Sequence, residues 1–488
     1  MNVLRHRCTV ALLFIAAGLQ AQQGLTLGDA VEQALINDNS LKSAEIDLSV
    51  TERDYRLTLD EALPDVELSL TPLDFDRRRI ATTSSAPTLP SRSWGVGVGV
   101  SVTQLLPTSG VAVVAVDNQT DWVELDGDRS IDQNPSVLFN LSQPLRGGLG
   151  ADSVFQATRR VARVGLDLQR LGTQSQRNAS IIGTVDSFLL VGRLRSSVDI
   201  LERSVTLLAA DVADAELDRE QGLLSDNAVL SLRAALDDQR EALFDSRLAL
   251  LAAERGLAER LGSDLAEAGL VYPPQAIDPA TAAAGSVDLA SNAAIASQAL
   301  LVAQAGDLAR INDLDTSARI ELSVRLAPGY PDTRSGDDFG ASVSDLFDSD
   351  AEVETTAGAT VTVPVLTRRE RRIRRELDEL SIRRAQTQLV QTERTVQTRA
   401  ASLITARDFL TERLEIVAVD IALRERALAS ERALLLAGSS TERAVARAQI
   451  DLDRSLADRN ALGDELLLTD LQARDISGED LTTIVAAW

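Results

Sequence analysis

The side chains that most often carry catalysis are almost absent from this chain. It has one histidine, His6, and one cysteine, Cys8, against 73 acidic residues. Both lie in the first 21 residues, which resemble a secretory signal peptide. Arg5 and Arg7 precede an apolar run there, and Leu19-Gln-Ala21 offers a cleavage site. Cleavage after residue 21 would leave no thiol and no imidazole. This excludes Cys nucleophiles, Ser-His-Asp triads, disulfides and His- or Cys-ligated metals.

Carboxylates are the remaining candidates for chemistry, and their arrangement does not favour an enzyme. Nothing in the spacing of the acids selects a pair for general acid–base catalysis. The formal charge of −24 becomes about −26 once Arg5 and Arg7 are removed, and such a surface repels the phosphates of nucleic acid. We therefore expect no catalytic residue, cofactor, metal or nucleic-acid partner, with a carboxylate hydrolase as a distant alternative.

The apolar run at residues 8–19 is too short to cross a bilayer comfortably as a helix, which favours a cleaved signal over an uncleaved anchor. No other run of 18 or more apolar residues follows. If the mature chain enters a bilayer, we expect it to do so as a closed β-barrel, because lipid cannot satisfy open strand edges.

The elements that would position any site are duplicated. Each half has an extended segment, a Pro-containing link, a helix of about 70 residues, a tight turn and a second helix. The corresponding segments are Glu67-Leu-Ser-Leu70 and Glu321-Leu-Ser-Val324, Gln143-Pro-Leu145 and Val363-Pro-Val365, and the turns that begin at Gly222 and Gly438. At about 1.5 Å per residue, each long helix would reach roughly 100 Å, so the repeat predicts an elongated protein.

The predicted organisation is a signal peptide (1–21), a first repeat (22–285) and a second repeat (286–488). The first repeat has a helix over 26–62, strands within 65–142, helices over 153–221 and 225–261, and a linker. The second has a helix over 287–314, strands within 318–363, helices over 368–437 and 441–474, and a tail. Leucine and valine at steps of three, four or seven along the long helices predict coiled-coil packing.

One strand has the clearest alternation in the chain. Val96, Val98, Val100 and Val102 alternate with Gly95, Gly97, Gly99 and Ser101, and Trp94 stands at one end. The pattern fits a lipid-facing strand or a soluble sandwich core equally well. Charges on the polar face of the strand near Glu321 favour a wet lumen. We predict polar loops over 77–92 and between 118 and 137, with a short returning strand at 111–118.

Several segments resemble TolC-like outer-membrane efflux proteins. They are Thr26-Leu-Gly-Asp-Ala-Val-Glu-Gln-Ala-Leu35 with Asn37 and Asn39, Gln143-Pro-Leu-Arg-Gly147, and the turns at Gly222-Leu-Leu-Ser225 and Gly438-Ser-Ser-Thr441. The resemblance covers essentially the whole mature chain. It implies a mainly α protein with a β-barrel part, in which a homotrimer shares one outer-membrane barrel and coiled-coil hairpins form a periplasmic tunnel. It also implies passive export for an inner-membrane pump and a periplasmic adaptor, in tripartite efflux or type I secretion.

The number of strand-like segments in this sequence differs from the number in that family. The family pattern has four strands per protomer, whereas the first half alone shows four strand-like segments. Either the barrel is wider than usual, or the hairpin at 111–118 lies outside it. The competing class is a periplasmic coiled-coil adaptor or scaffold without a barrel, whose strands would pack as a small soluble domain.

The resemblance implies two sets of site residues at the hairpin tips. The adaptor-docking tips are Gly222, Leu223, Leu224, Ser225, Gly438, Ser439, Ser440 and Thr441, which could equally be simple helix caps. The second tip lacks the leucines of the first. The candidate tunnel-mouth charges are Asp218, Glu220, Asp226, Arg219, Arg432, Glu442 and Arg443, with Asp211, Asp214 and Glu216 nearby. They fit either a ring at the channel mouth or a solvated face. Arg219, Arg432 and Arg443 could pair with the acids and hold the mouth closed.

Overall fold

The computed structural model describes residues 25–61, 63–80, 89–125, 128–144, 153–262, 289–315, 319–328, 353–362 and 368–485. The expected signal peptide, the link at 363–365 and the linker between the repeats lie outside these ranges. The chain divides into two compact units, one from 1–48, 169–298 and 389–488, the other from 49–168 and 299–388. Each unit takes residues from both repeats, so the two-repeat division remains a prediction.

The helices follow the predicted order closely. Their bounds are α1 Leu27–Asn37, α2 Asn39–Asp60, α3 Val154–Glu220, α4 Asp226–Leu261, α5 Ala293–Asp315, α6 Arg368–Leu436, α7 Glu442–Ile476 and α8 Thr482–Val485. The 67 residues of α3 and 69 of α6 confirm the two long helices. Within the described residues, none of the helices combines the length and the apolar character that crossing a membrane requires.

The predicted continuous helix over 26–62 is wrong at Asp38, where α1 ends and α2 begins. The Asp38 carboxylate accepts from the Ser40 amide at 2.8 Å and the Leu41 amide at 3.2 Å, as an N-capping side chain does. Burial opposes ionisation of Asp38, but these bonds and those from the Ser180 and Ser40 hydroxyls outweigh it and lower its pKa. A capping aspartate inside an apolar period is the signal that the sequence analysis missed.

The main core of the first unit surrounds α1. Leu27, Ala30, Val31 and Ala34 of α1 are buried with apolar side chains of α3, α4 and α7. These partners are Ile181, Val185, Phe188, Leu189, Leu257, Leu261, Leu467 and Leu471. A smaller cluster joins Ile421 and Leu428 of α6 to Leu452 of α7. The seven-residue spacing at 421 and 428 therefore marks a packed α6–α7 seam.

The second unit contains a six-stranded antiparallel sheet in the order β1-β2-β3-β4-β5-β6. The strands are β1 Asp65–Ile80, β2 Leu89–Leu105, β3 Val111–Leu125, β4 Asp128–Pro144, β5 Arg319–Pro328 and β6 Val353–Thr362. The predicted loops are wrong at 77–80 and 89–92 and at 119–125 and 128–136, which belong to paired strands, whereas 81–88 and 126–127 lie outside the described residues. Polar residues extend these strands because ladder hydrogen bonds require only a paired backbone, not apolar side chains.

Candidate functional site

The two hairpin tips have the same backbone. Gly222 and Gly438 have φ of 75° and 74°, the left-handed region that glycine adopts without strain. At the first tip the Leu223 amide donates to the Asp218 carbonyl, and at the second the Ser439 amide donates to the Leu434 carbonyl, both at 2.8 Å. This six-to-one bond after a left-handed glycine is the Schellman ending of a helix.

The helices that follow each tip begin in the same way. Ser225 Oγ accepts from the Ala228 amide at 3.4 Å, and Thr441 Oγ1 accepts from the Ala444 amide at 3.2 Å. Gly222, Gly438, Ser225 and Thr441 are therefore helix caps. The space beside both glycines is open, because an added Cβ would meet nothing within 4 Å. Docking of a partner at these tips remains a prediction.

Exposed leucine occurs at both tips, which differs from expectation in two ways. Leu223 is 72% exposed, but Leu224, expected to be exposed, is only half-buried. At the second tip Leu436 is 91% exposed, although it precedes the glycine rather than following it. The run Leu434-Leu-Leu436 could have revealed this, because Leu435 follows Leu428 of the α6–α7 seam by seven residues and its neighbours must then point elsewhere.

Arginines of α7 contact carboxylates of α3 beside the tips. Arg443 forms ion pairs with Asp214 and, at 3.8 Å, with Asp211, and Arg447 pairs with Asp211. The hydrogen bond from Arg443 lowers the pKa of the exposed Asp214 carboxyl. Arg443 thus pairs with acids of the first hairpin, as predicted.

The other two arginines bind differently from the prediction. Arg219 lies 3.8 Å from Asp226 across its own turn, and Arg432 donates to Gln449 at 3.0 Å within the second hairpin. Asp218, Glu220 and Glu442 are exposed. Arg233, which the sequence analysis did not select, donates to Glu216 at 3.0 Å between α3 and α4.

The contacts between α3 and α7 continue away from the tips. Arg203 pairs with Asp453 at 2.6 Å, Arg454 donates to Ser204 at 3.2 Å, and Arg193 lies 3.7 Å from Asp464. As the position on α3 decreases from 214 to 193, that on α7 increases from 443 to 464. The two helices therefore pack antiparallel, and polar contacts join the two hairpins over this whole length.

One face of the sheet is apolar and exposed. In the register of the sheet, one residue from each strand lies opposite the next. Together they form a row of Val66, Val102, Val114, Phe139, Val324 and Ala357. Val66, Leu68 and Leu70 of β1 are 63, 62 and 63% exposed, and Val98 and Val100 of β2 are each 41% exposed. The predicted Val face is thus part of a larger apolar surface.

Aromatic rings lie at one end of this apolar face. Trp94 pairs across the ladder with Phe75 of β1 and Trp122 of β3. The Phe75 and Trp94 ring centroids are 6.2 Å apart. Aromatic rings at the edge of an apolar band are typical of strands that end at a membrane interface.

The opposite face of β2 is polar and closely filled. Gly95, Gly97 and Gly99 pair with Asp121, Gln119 and Asp117 of β3. A side chain at Gly95 or Gly99 would overlap the Asp121 or Asp117 carboxylate, whereas one at Gly97 would meet Thr71 Cβ at 3.3 Å. The glycines therefore leave room for the acidic side chains of the next strand.

Solved structures with this fold include outer-membrane proteins. VceC from Vibrio cholerae is 14% identical, with a TM-score of 0.59, over 93% of this chain and 96% of its own. The outer-membrane channel CmeC from Campylobacter jejuni is 15% identical, with a TM-score of 0.61, over 94% and 88%. CusC, which forms a transmembrane channel, is 13% identical, with a TM-score of 0.60, over 93% and 92%. No protein-family model and no curated protein matches the sequence.

The fold is therefore that of outer-membrane channel proteins. This confirms the fold expected from the resemblance to TolC-like proteins, with long coiled-coil hairpins and a sheet of strands. At 13–15% identity the match establishes the fold alone.

Proposed function

We propose that this chain is the outer-membrane exit duct of a tripartite efflux or type I secretion system. It would act as a homotrimer whose strands form one shared barrel and whose helices form a periplasmic tunnel. Substrate would pass through it passively, without enzymatic chemistry, from an inner-membrane pump joined to the duct by a periplasmic adaptor.

The exposed apolar face of the sheet is the observation that carries this proposal. A soluble domain rarely exposes a continuous apolar surface, because water contact with it is unfavourable. Valine, leucine and other apolar residues make up most of this face, which also carries Asn118 and Thr120 of β3, and the opposite face is mostly polar apart from residues such as Val113 and Leu138. That division fits lipid on one side and an aqueous lumen on the other.

The same observation argues against a periplasmic scaffold or adaptor. That alternative requires the strands to bury their apolar face in a small soluble core. Val66, Leu68 and Leu70 are instead among the most exposed apolar residues of the sheet. Fractionation distinguishes the two, because a scaffold would wash off membranes.

Self-association is supported by apolar residues on the helices. Phe409, Ile416, Val419 and Leu423 of α6 are exposed and separated by seven, three and four residues. Phe244, Leu248 and Leu251 of α4 repeat the pattern. Spacing of this kind is typical of a coiled-coil seam, and further copies of the chain would cover it.

The test is recovery of the mature protein from cells. We expect it to begin near Gln22, to remain in outer membranes after a carbonate wash, and to migrate as a trimer in mild detergent. Extraction by carbonate as a soluble monomer would overturn the proposal and favour the scaffold.

A further inference from the structure

The sheet of one chain contains two more strands than the four implied by the resemblance. β3 pairs with β2 from Leu125 to Val111, and β4 pairs with β5 from Val137 to Pro144. β3 and β4 thus lie in the middle of the sheet. They do not form a separate hairpin outside it.

The turn between β2 and β3 is also joined to its surroundings. Ser109, which has a φ of 62°, accepts a hydrogen bond from the Phe155 amide at the start of α3, at 2.8 Å. Gln143 at the end of β4 donates to the Thr108 carbonyl at 3.0 Å. These bonds link the β2–β3 turn to the end of β4 and to α3.

The apolar row that begins at Val66 continues through both added strands, although farther along β3 the same face carries Asn118 and Thr120. Val114 and Phe139 continue the apolar row from Val102 to Val324. On β1 the row lies one residue from the strand end at Asp65, at Val66. On β6 it lies five residues from the strand end at Thr362, at Ala357. The strand ends are therefore staggered across the sheet, as the tilted strands of a closed barrel require.

We infer that three copies of this chain close an 18-stranded barrel, in which β6 of each copy pairs with β1 of the next. The inference rests on the proposed function. β1 and β6 are the two terminal strands of the six-strand order. Because hydrocarbon cannot satisfy an open strand edge, the two edges need partners, and a second copy offers the complementary edge.

A barrel of this size has consequences for the cargo. Diameter grows roughly in proportion to strand number, so 18 strands give a barrel about 1.5 times wider than 12 strands do. Barrels of about 16–18 strands leave an aqueous channel, and here the glycine-bearing polar face would line it. Such a lumen would admit larger hydrated cargo than a 12-stranded barrel does.

Disulfide pairs in membrane-extracted trimers test the inference. Directly opposite residues of an antiparallel ladder have Cα atoms about 4.5–5.5 Å apart, which suits a disulfide. Ser101→Cys with Ala115→Cys reports β2–β3 pairing, and Asn140→Cys with Ser323→Cys reports β4–β5 pairing. Val116→Cys with Val137→Cys, within the β3–β4 hairpin, is the positive control. The mature chain would contribute no other cysteine.

We expect all three pairs to form intrachain disulfides, and electron cryomicroscopy of the trimer to show 18 strands. Formation of the control disulfide alone, with a 12-stranded barrel, would overturn this inference and leave the proposed exit duct intact. A chain that forms no closed barrel would overturn both.

Discussion

Val98 and Gly97 are sequence neighbours on β2 whose side-chain positions face opposite sides of the sheet. Val98→Arg would place a charge on the apolar face, at a cost of roughly 2–4 kcal/mol near the bilayer midplane. Gly97→Arg would project from the polar face, where its Cβ contacts only the Thr71 side chain. We expect Val98→Arg to abolish trimer assembly in membranes and Gly97→Arg to lower it much less. Equal losses in heat-modifiability assays would show that the faces are assigned wrongly.

Two glycines, Gly463 inside α7 and Gly478 just beyond its end, offer a matched test of backbone constraint. Gly478 has a φ of 76°, and a Cβ there would overlap the Ser291 carbonyl group, whose carbon would be 2.8 Å away. Gly463 lies within α7, and a Cβ there meets nothing within 4 Å. Gly478→Ala should therefore lower the thermal midpoint of the trimer. Gly463→Ala should raise its stability by roughly 0.5–1 kcal/mol, because alanine favours helix. The reverse order would contradict the local geometry.

Some residue contacts could be predicted from sequence and others could not. Spacing and residue type predicted Ser225 and Thr441 as caps, because capping depends on neighbours three residues away. The pairing of Arg443 with Asp214 joins residues 229 positions apart. Sequence spacing could not establish a pair so far apart. The same prediction for Arg432 was wrong, because Arg432 donates to Gln449 of its own hairpin. The exposure of Leu436 depends on which side of α6 faces α7.

At the scale of elements, the ion pairs between α3 and α7 should respond to acid. The hydrogen bond from Arg443 lowers the pKa of Asp214, so the pair stabilises the folded tip above the ordinary aspartate pKa of 3.8. That stabilisation is lost as pH falls through the lowered value. Asp214→Asn should reproduce the loss at neutral pH. We expect faster amide hydrogen exchange over 205–220 and 442–455, with Asp237→Asn on α4 as control. Unchanged exchange in Asp214→Asn would show that the pair does not hold the tips.

The hairpin tips are the elements that we expect to recruit the adaptor. Ser225→Cys and Ser439→Cys should cross-link to it, whereas Ala235→Cys, in a groove between α3, α4 and α7, should not. Leu223→Asp and Leu436→Asp should each weaken export while leaving the trimer in the membrane, because the two leucines are the exposed apolar contacts. Cross-links at Ala235→Cys alone would place docking on the helix flanks and leave the tip glycines as caps.

Helices were predicted more accurately than strands, for a physical reason. A helix satisfies its own hydrogen bonds, so the apolar period and the caps define α3 and α6 within a residue or two. A strand takes its partners from distant segments. The polar stretches at 77–80 and 119–135 therefore looked like loops until β2, β4 and their register were known.

At the scale of the whole molecule, assembly should depend on the apolar seam of α6. Ile416→Asp and Val419→Asp would place charge where a second copy is proposed to pack. We expect either change to leave secretion and helix content intact but to reduce the detergent-resistant trimer several-fold. Ala418→Asp, an exposed position on another face of the same helix, adds the same single negative charge and is the matched control. A trimer unaffected by the seam variants would locate the contact elsewhere.

The identical backbone of the two tips has a consequence for symmetry. In a trimer the turn would recur six times, but its side chains would recur only three times, since Leu223-Leu224 alternates with Ser439-Ser440. A partner made of six equal copies could use the shared backbone at every position and would still occupy two chemically different environments. Its copies would then bind with two affinities, three strongly and three weakly, even though all six were made from one gene.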